Sequence, residues 1–400
     1  MMNIIYLSSV CAQSRFEDLV TKGRIKTQFQ NQKFHHLLLT GLVENGDHNI
    51  QVISFCPQVR TSKAIYHLEQ EEENGIHYTY PGYIDRPFIN PISRFFTTLQ
   101  CIRKKISKDS IVVCNIMNFE ECLAALFYRV FHHRIKICAI VADVPGLTSG
   151  ANSAKTSKWK ILLSRMVLSM LVNANKRYDG YLFLTEAMND VVNKRQKPYV
   201  VVEGLTDLKM RDVHNEIEQK YTTPTILYAG GLHREYGIEW LVNAFQKVEN
   251  PNVELHIYGY GNFEKELIER AKSDSRIKYY GTKSNKEIVA EQMKASLLIN
   301  PRPTDAEFVK YSFPSKVMEC MVSGTPLLTT CLPGMPKDYY PYVYLIEEET
   351  TGCLQKTLSK LLQLTPEELH QKGADAKRFV LENKNYKKQA EKLLTLLANM

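Results

Sequence analysis

Short runs of β-branched and aromatic residues alternate with stretches of helical period along the chain, in two successive series. No other feature narrows the fold as far, because parallel strands must be joined by crossovers of a dozen or more residues, usually helices. The first series predicts strands at 3–7, 50–55, 111–115, 135–141, 180–184 and 199–202, with helices at 33–44, 91–106, 119–132, 157–173 and 186–193. The second predicts strands at 225–229, 253–258, 277–280, 296–300 and 325–329, each followed by a turn signal and a helical stretch. A polar, irregular stretch, 204–223, separates the two and ends at Pro224. The expected architecture is α/β: two Rossmann-like doubly wound domains, residues 1–204 and 205–374, facing across a cleft. A last helix, 375–400, rich in Lys and Leu, crosses back to pack on the first domain.

Four hundred residues, 44% apolar and 24% charged, can build two such cores and exclude a disordered or fibrous chain. The longest apolar run, 161–172, contains Arg165 and is too short to span a membrane. Residues 1–10 lack the basic start of a secretory signal and read as a first strand. Nine scattered cysteines, no two of them two residues apart, indicate reduced thiols, a cytoplasmic location and no zinc site. Residues 1–200 hold 25 Lys and Arg against 16 Asp and Glu, a net +9, whereas the remainder nets −1. A one-sided field of this kind attracts an anionic partner. Nucleic acid is not expected, because nothing requires the basic residues to interleave with stacking aromatics on one surface.

The most informative stretch is Asn300-Pro301-Arg302-Pro303, then Tyr311-Ser312-Phe313-Pro314-Ser315-Lys316-Val317-Met318-Glu319, closed by Ser323-Gly324-Thr325-Pro326. Pro314 suits a helix start. Spacings of three and four then put Ser312, Ser315, Lys316 and Glu319 on one face, and Phe313, Val317, Cys320 and Met321 on the other. Free backbone N–H groups, two hydroxyls and an ammonium at a helix start suit a phosphate or diphosphate, and Glu319 can accept from the vicinal hydroxyls of a sugar. A solvated face with a weak Lys316–Glu319 pair accounts for the composition equally well. Glycines recur at three successive strand ends, Gly230-Gly231, Gly259-Tyr260-Gly261 and Gly281-Thr282-Lys283, where a ligand would need close backbone approach.

From about residue 225 to 353, these pieces together resemble the nucleotide-binding half of family 4 glycosyltransferases, retaining enzymes of the GT-B fold. More narrowly, they are similar to the bacterial surface and capsular polysaccharide branch with a Phe-Pro-Ser-Lys-x-x-Glu signature. The matching residues are Gly230, Gly231 and Glu235-Tyr236-Gly237, then Gly259, Gly261, Gly281, Asn300 to Pro303, Phe313 to Glu319 and Ser323 to Pro326. The resemblance implies a nucleoside-diphosphate sugar as donor substrate, with no cofactor and no metal. It places Glu319 on the ribose, Lys316 and the backbone of Ser312, Phe313, Pro314 and Ser315 near the diphosphate, and the base against Thr282 and Lys283. It implies hexose transfer to a glycan or lipid-linked saccharide acceptor; in that scheme the basic surplus of the first half would let a cytoplasmic protein rest on anionic lipid at the cytoplasmic face of the membrane.

Three positions depart from the family pattern. Gly231 and Tyr236 stand where the family often has Arg and Lys, and Tyr311 stands where it often has Glu. Lys316, Arg302 and Arg234 are therefore the expected phosphate cations, and Glu307 or Asp305 the substitute carboxylate. The departures also leave open a catalytically impaired nucleotide-sugar-binding subunit.

In the first domain, Asp143 in Ala142-Asp143-Val144-Pro145-Gly146 follows a strand directly and is placed to meet an acceptor hydroxyl, although Asp-x-Pro-Gly is also ordinary turn chemistry. Gln32-Lys33-Phe34-His35 is a further acceptor-side candidate, although it also reads as an ordinary helix start. Arg103, Lys104, Lys105 and Lys108 cluster at one helix end, and Lys155, Lys158, Lys160 and Arg165 frame Trp159, Leu162 and Met166, a composition that suits anionic lipid or an ordinary packed helix. A nicotinamide oxidoreductase has little support, since the loop after the first strand reads Ser8-Ser9-Val10-Cys11 rather than a Gly-rich fingerprint.

Overall fold

The computed structural model describes residues 1–25, 28–56, 64–144 and 177–400. The chain forms two compact units, Met1–Leu205 with Tyr386–Met400, and Thr206–Asn385. Each is a Rossmann-like α/β unit. The helix expected at 157–173, with its cationic face, and Pro145 and Gly146 lie outside the described residues.

Unit 1 contains β1 (Asn3–Ser8), β2 (Asn49–Ser54), β3 (Ile65–Tyr66), β4 (Glu69–Glu73), β5 (Ile76–Tyr80), β6 (Tyr83–Ile84), β7 (Ser110–Asn115), β8 (Lys136–Val141), β9 (Gly180–Phe183) and β10 (Tyr199–Val201). Eight of these form a sheet in the order β10-β9-β8-β7-β1-β2-β5-β4, parallel except for the β4–β5 pair. The central strand is apolar without alternation, Ile4, Ile5, Tyr6 and Leu7 being almost wholly buried, as a strand covered on both faces requires. Strands β4 and β5 were not expected from the sequence. Glu69-Gln70-Glu71-Glu72-Glu73 carries no β propensity, and it tolerates the strand state because it is a solvated edge. The overlooked signal was Asn74-Gly75, whose two positive φ angles, 52° and 76°, make the tight hairpin turn.

Unit 2 contains β11 (Thr225–Ala229), β12 (Glu254–Tyr258), β13 (Ile277–Tyr279), β14 (Leu297–Asn300), β15 (Leu327–Thr330) and β16 (Tyr344–Ile346), in the order β13-β12-β11-β14-β15-β16. All neighbours are parallel. Alternate residues of the strands feed two cores: Ile226, Leu255 and Ile257 meet Leu241 and Phe245 on one face, while Leu227, Leu298 and Leu327 meet Val317, Met321 and Val380 on the other. The strand order reverses between β11 and β14. Connections leave in opposite directions there, which opens a crevice at the carboxyl ends of the strands.

The single terminal helix expected at 375–400 is two helices, Pro366–Asn383 and Tyr386–Asn399. The first begins earlier than expected because Thr365 and Glu368 form a reciprocal cap and Pro366 occupies the first position. It ends where the backbone of Lys384 accepts from Thr206 N at 2.9 Å. The second packs on Phe29–Glu44 within unit 1, where Gly41 leaves room for the Tyr386 carbonyl and Glu44 accepts from Tyr386 Oη at 3.1 Å and pairs with Lys387 at 2.9 Å.

Candidate functional site

The glycine-bearing strand ends of unit 2 are stitched into one ledge. Gly230 N donates to Tyr258 O at 2.9 Å, Leu232 N to Tyr260 O at 2.9 Å, and Gly259 N to Gly281 O at 2.8 Å. Gly259 has φ +134°, and a Cβ there would overlap the Gly230 carbonyl. A Cβ on Gly230 would overlap Lys316 Nζ, and one on Gly261 the Leu232 backbone. The ledge therefore requires bare backbone at the positions where a lysine amine is packed.

Lys316 is the second residue of the helix Ser315–Ser323. Its Nζ stands 5.4 Å from the centroid of the Tyr228 ring, and the Tyr228 hydroxyl is tied to the Gly231 carbonyl at 2.8 Å. Burial pushes the amine's pKa below the ordinary lysine value and the nearby Arg302 guanidinium adds to this, with Cys320 and Glu319 pulling the other way. Arg302, after β14, lies between the rings of Tyr236 at 5.6 Å and Phe308 at 5.2 Å. Burial lowers its pKa too, and its Nε is buried without a hydrogen-bond partner. Neither cation is in an ion pair among the described residues. Glu319 attracts the Lys316 amine without forming a close ion pair with it. Two like charges held near each other with much of their water removed are costly, and an anion between them removes that cost.

The rest of the signature surrounds this pair. Pro314 is the N-cap, no side chain caps the helix, and the first-turn N–H groups of Ser315–Ser323 follow directly. Phe313 is buried against Tyr339, Ser315 is exposed, and the buried Ser312 hydroxyl has no hydrogen-bond partner. Glu319 is half-buried one turn beyond Ser315 and Lys316. Tyr311 is half-buried at the end of a short 3-10 turn that begins at exposed Glu307; Asp305 is exposed just before it. Thr282 is exposed, and Lys283 Nζ lies 5.9 Å from the Tyr258 ring centroid. Arg234, expected beside the diphosphate, is instead engaged by Glu239 and Glu266 and lies over Phe263. Sequence reasoning noted Tyr236 only as a departure and gave Tyr228 no role, whereas their rings lie against Arg302 and Lys316.

In unit 1, the carboxyl ends of β1, β2, β7 and β8 border a pocket of about 590 Å³. Asn31, Asn90, Asn115, Asn118, Tyr83 and Asp143 line it. Asp143 keeps solvent access, yet the surrounding protein displaces enough water to push its pKa up from the ordinary aspartate value. Asn115 is fixed: its amide meets His35 Nε2 at 2.9 Å and its Oδ1 accepts from Met117 N at 3.1 Å. His35 is wholly buried beside the Tyr6 hydroxyl at 2.5 Å, and burial lowers its pKa to about 3, so it stays neutral. Gln32 bonds the backbone of Cys11 through both ends of its amide. Gln32 and His35, expected toward an acceptor, are therefore supports in the core rather than surface contacts. Arg94 in the same pocket is paired at 2.8 Å with fully buried Glu121.

Residues 223–364 match the family model described as Glycosyl transferases group 1. A search of curated proteins gave no match. Among solved structures, sucrose-phosphate synthase from Thermosynechococcus elongatus superposes with a TM-score of 0.65 at 13% identity, over 100% of this chain and 99% of that one. The lipopolysaccharide outer core galactosyltransferase WaaB, apo form, gives 0.63 at 15%, over 100% and 99%. Anabaena Alr3699/HepE in complex with UDP-glucose gives 0.60 at 11%, over 100% of both chains. The chain therefore has the GT-B fold of two Rossmann-like domains, and its second domain carries the match to group 1 glycosyl transferases.

Proposed function

We propose that this protein is a retaining hexosyltransferase of the family 4 type, moving a sugar from a nucleoside diphosphate to a glycan or lipid-linked saccharide in surface polysaccharide assembly. One observation carries this: Lys316 and Arg302, half-buried and in no ion pair among the described residues, converge on the glycine ledge beside an uncapped helix start. The family match and the shared fold support nucleotide-sugar transfer, and the UDP-glucose complex of HepE makes a UDP-hexose the first donor to test.

The diphosphate sits against the first-turn N–H groups, Lys316 and Arg302, and Glu319 accepts from the ribose hydroxyls. As the glycosidic bond to phosphate breaks, negative charge builds on the leaving diphosphate. Lys316 and Arg302 are already in position to stabilise it, so no reorganisation is needed at that moment. Glu307 supplies the carboxylate that Tyr311 does not. Asp143 meets the acceptor hydroxyl, and its raised pKa brings it nearer to proton exchange with that group. The neighbouring carboxamides and Tyr83 suit a hydroxyl-rich acceptor. Contact of the basic first unit with anionic membrane would bring the enzyme to lipid-linked material.

The substitutions at Gly231, Tyr236 and Tyr311 motivate a second reading, a nucleotide-sugar-binding subunit without turnover. A thermal-shift panel of nucleoside-diphosphate sugars tests the donor site, and nucleotide release in the presence of oligosaccharide acceptors tests transfer. A shift with release supports the transferase. A shift without release, for any acceptor, supports the binding subunit, and no shift with any donor overturns both.

A further inference from the structure

Among the described residues, more than half of the exposed large hydrophobic ones fall between Ile84 and Phe131. Phe88 is 89% exposed, Phe131 67%, Phe96 61% and Ile92 58%, with Ile89, Phe127 and Val130 close behind. They belong to two helices that pack on each other, Ile89–Lys105 and Phe119–Phe131. Ring contacts make a continuous strip: Phe96 touches Phe95 at 5.3 Å between centroids, Phe95 touches Phe127 at 5.8 Å, and Phe127 touches Phe131 at 5.4 Å. Phe88 extends the strip beyond the helix start from a left-handed backbone conformation, φ 64°, unusual for a bulky side chain. A strip of this kind on a folded domain marks a binding surface.

Charge decides what covers it. No acidic residue occurs from Arg86 to Lys108, nor from Cys122 to Ala142. Arg103, Lys104 and Lys105 close the first helix, and His132, His133, Arg134 and Lys136 follow the second. Each helix ends one short loop before β7 or β8 begins, and those strands are parallel neighbours, so both basic ends lie at the same edge of the sheet. A second copy of the chain seated on this face would bring two cationic edges together. An anionic surface with an apolar interior matches both parts at once.

We propose that the helices Ile89–Lys105 and Phe119–Phe131 form a membrane-docking face, with Phe88, Ile92, Phe96 and Phe131 entering the acyl boundary of an anionic bilayer and Arg103, Lys104 and Arg134 meeting lipid phosphates. This gives the membrane contact of the proposed function a specific surface, while its test is independent of the donor site. The full chain is sedimented with phosphatidylcholine vesicles, with and without phosphatidylglycerol. Binding is expected only where phosphatidylglycerol is present, falling about tenfold in the Phe96→Ser/Phe131→Ser protein and similarly in Lys104→Glu/Arg134→Glu or at high salt. All altered side chains are exposed, and an unchanged UDP-sugar thermal shift would show that both variants are folded. If the wild type gives no donor shift but binds vesicles in this way, the enzyme reading fails and the docking face stands. No binding to anionic vesicles, equal binding by the variants, or a dimer that Phe96→Ser/Phe131→Ser dissolves without vesicle binding overturns the proposal.

Discussion

The two units share a winding pattern, yet the carboxyl edges of their sheets carry opposite chemistry. In unit 2 that edge is bare backbone: Gly230, Gly259 and Gly281 interlock, and two half-buried cations, in no ion pair among the described residues, lie against Tyr228 and Tyr236. In unit 1 the same edge carries carboxamides, a tyrosine and three carboxylates, Asp85, Glu120 and Asp143, and the described cation there, Arg94, is already paired with Glu121. Backbone amides with unpaired cations select for an anion; amides, carboxylate and an aromatic ring select for a neutral polyol. A shared fold thus sets where each ligand sits, and the residues after each strand decide which ligand it is.

The sharpest way to break that contrast is to remove the unpaired charge. Lys316→Met should lower kcat by about 10²–10³-fold if the amine stabilises the departing diphosphate, and steady-state kinetics with a UDP-hexose would measure it. The same change should raise the melting temperature of the ligand-free protein. Because the folded-state pKa of Lys316 is depressed, the folded protein holds that proton less tightly than the unfolded chain, and stability is gained as pH rises through the lowered value toward 10.5. The advantage of the Met variant should therefore shrink across that alkaline interval, while wild-type donor affinity falls across it. A variant less stable than wild type at neutral pH would mean that Lys316 is a structural residue, not a strained anion ligand.

Gly259→Ala probes the bare backbone itself. A side chain at φ +134° pressed against the Gly230 carbonyl should destabilise unit 2 by about 3 kcal/mol and remove the donor thermal shift. On the other edge, Asn115→Ala should cost about 1–3 kcal/mol because it strands His35 and the Met117 amide. Its kinetic signature should be a raised KM for acceptor with donor affinity unchanged. Equal loss of donor affinity in both variants would erase the division of labour between the edges.

Much of this organisation is legible in the residue pattern, because buried parallel strands are runs that helices must separate. β11 is legible to the residue, and the helix Ser315–Ser323 is legible from Pro314, Lys316 and Glu319 at helical spacing. The hairpin of β4 and β5 is not, since Glu69 to Glu73 become a strand only through pairing with a partner that supplies the buried face. Nor is the fate of a charged side chain legible. Lys316 and Arg234 look alike as cations near glycines, and what separates them is what folds over them: the bare ledge packs against one, and the helices Ile238–Phe245 and Glu264–Ser273 deliver two carboxylates to the other.

Arg234 gives the smallest and most discriminating effect. Its guanidinium already lies against Glu239 and Glu266, both on neighbouring helices, and it is largely open to water, where such pairs contribute little to stability. Recruiting it to a diphosphate would require breaking two ion pairs to form one new contact. Arg234→Ala should therefore change donor affinity by about threefold at most, measurable by titration calorimetry with UDP, whereas Arg302→Ala, which removes an unpaired buried cation, should weaken binding by about tenfold or more. If the two variants lost affinity equally, the distinction between satisfied and unsatisfied charge would not be what locates the anion.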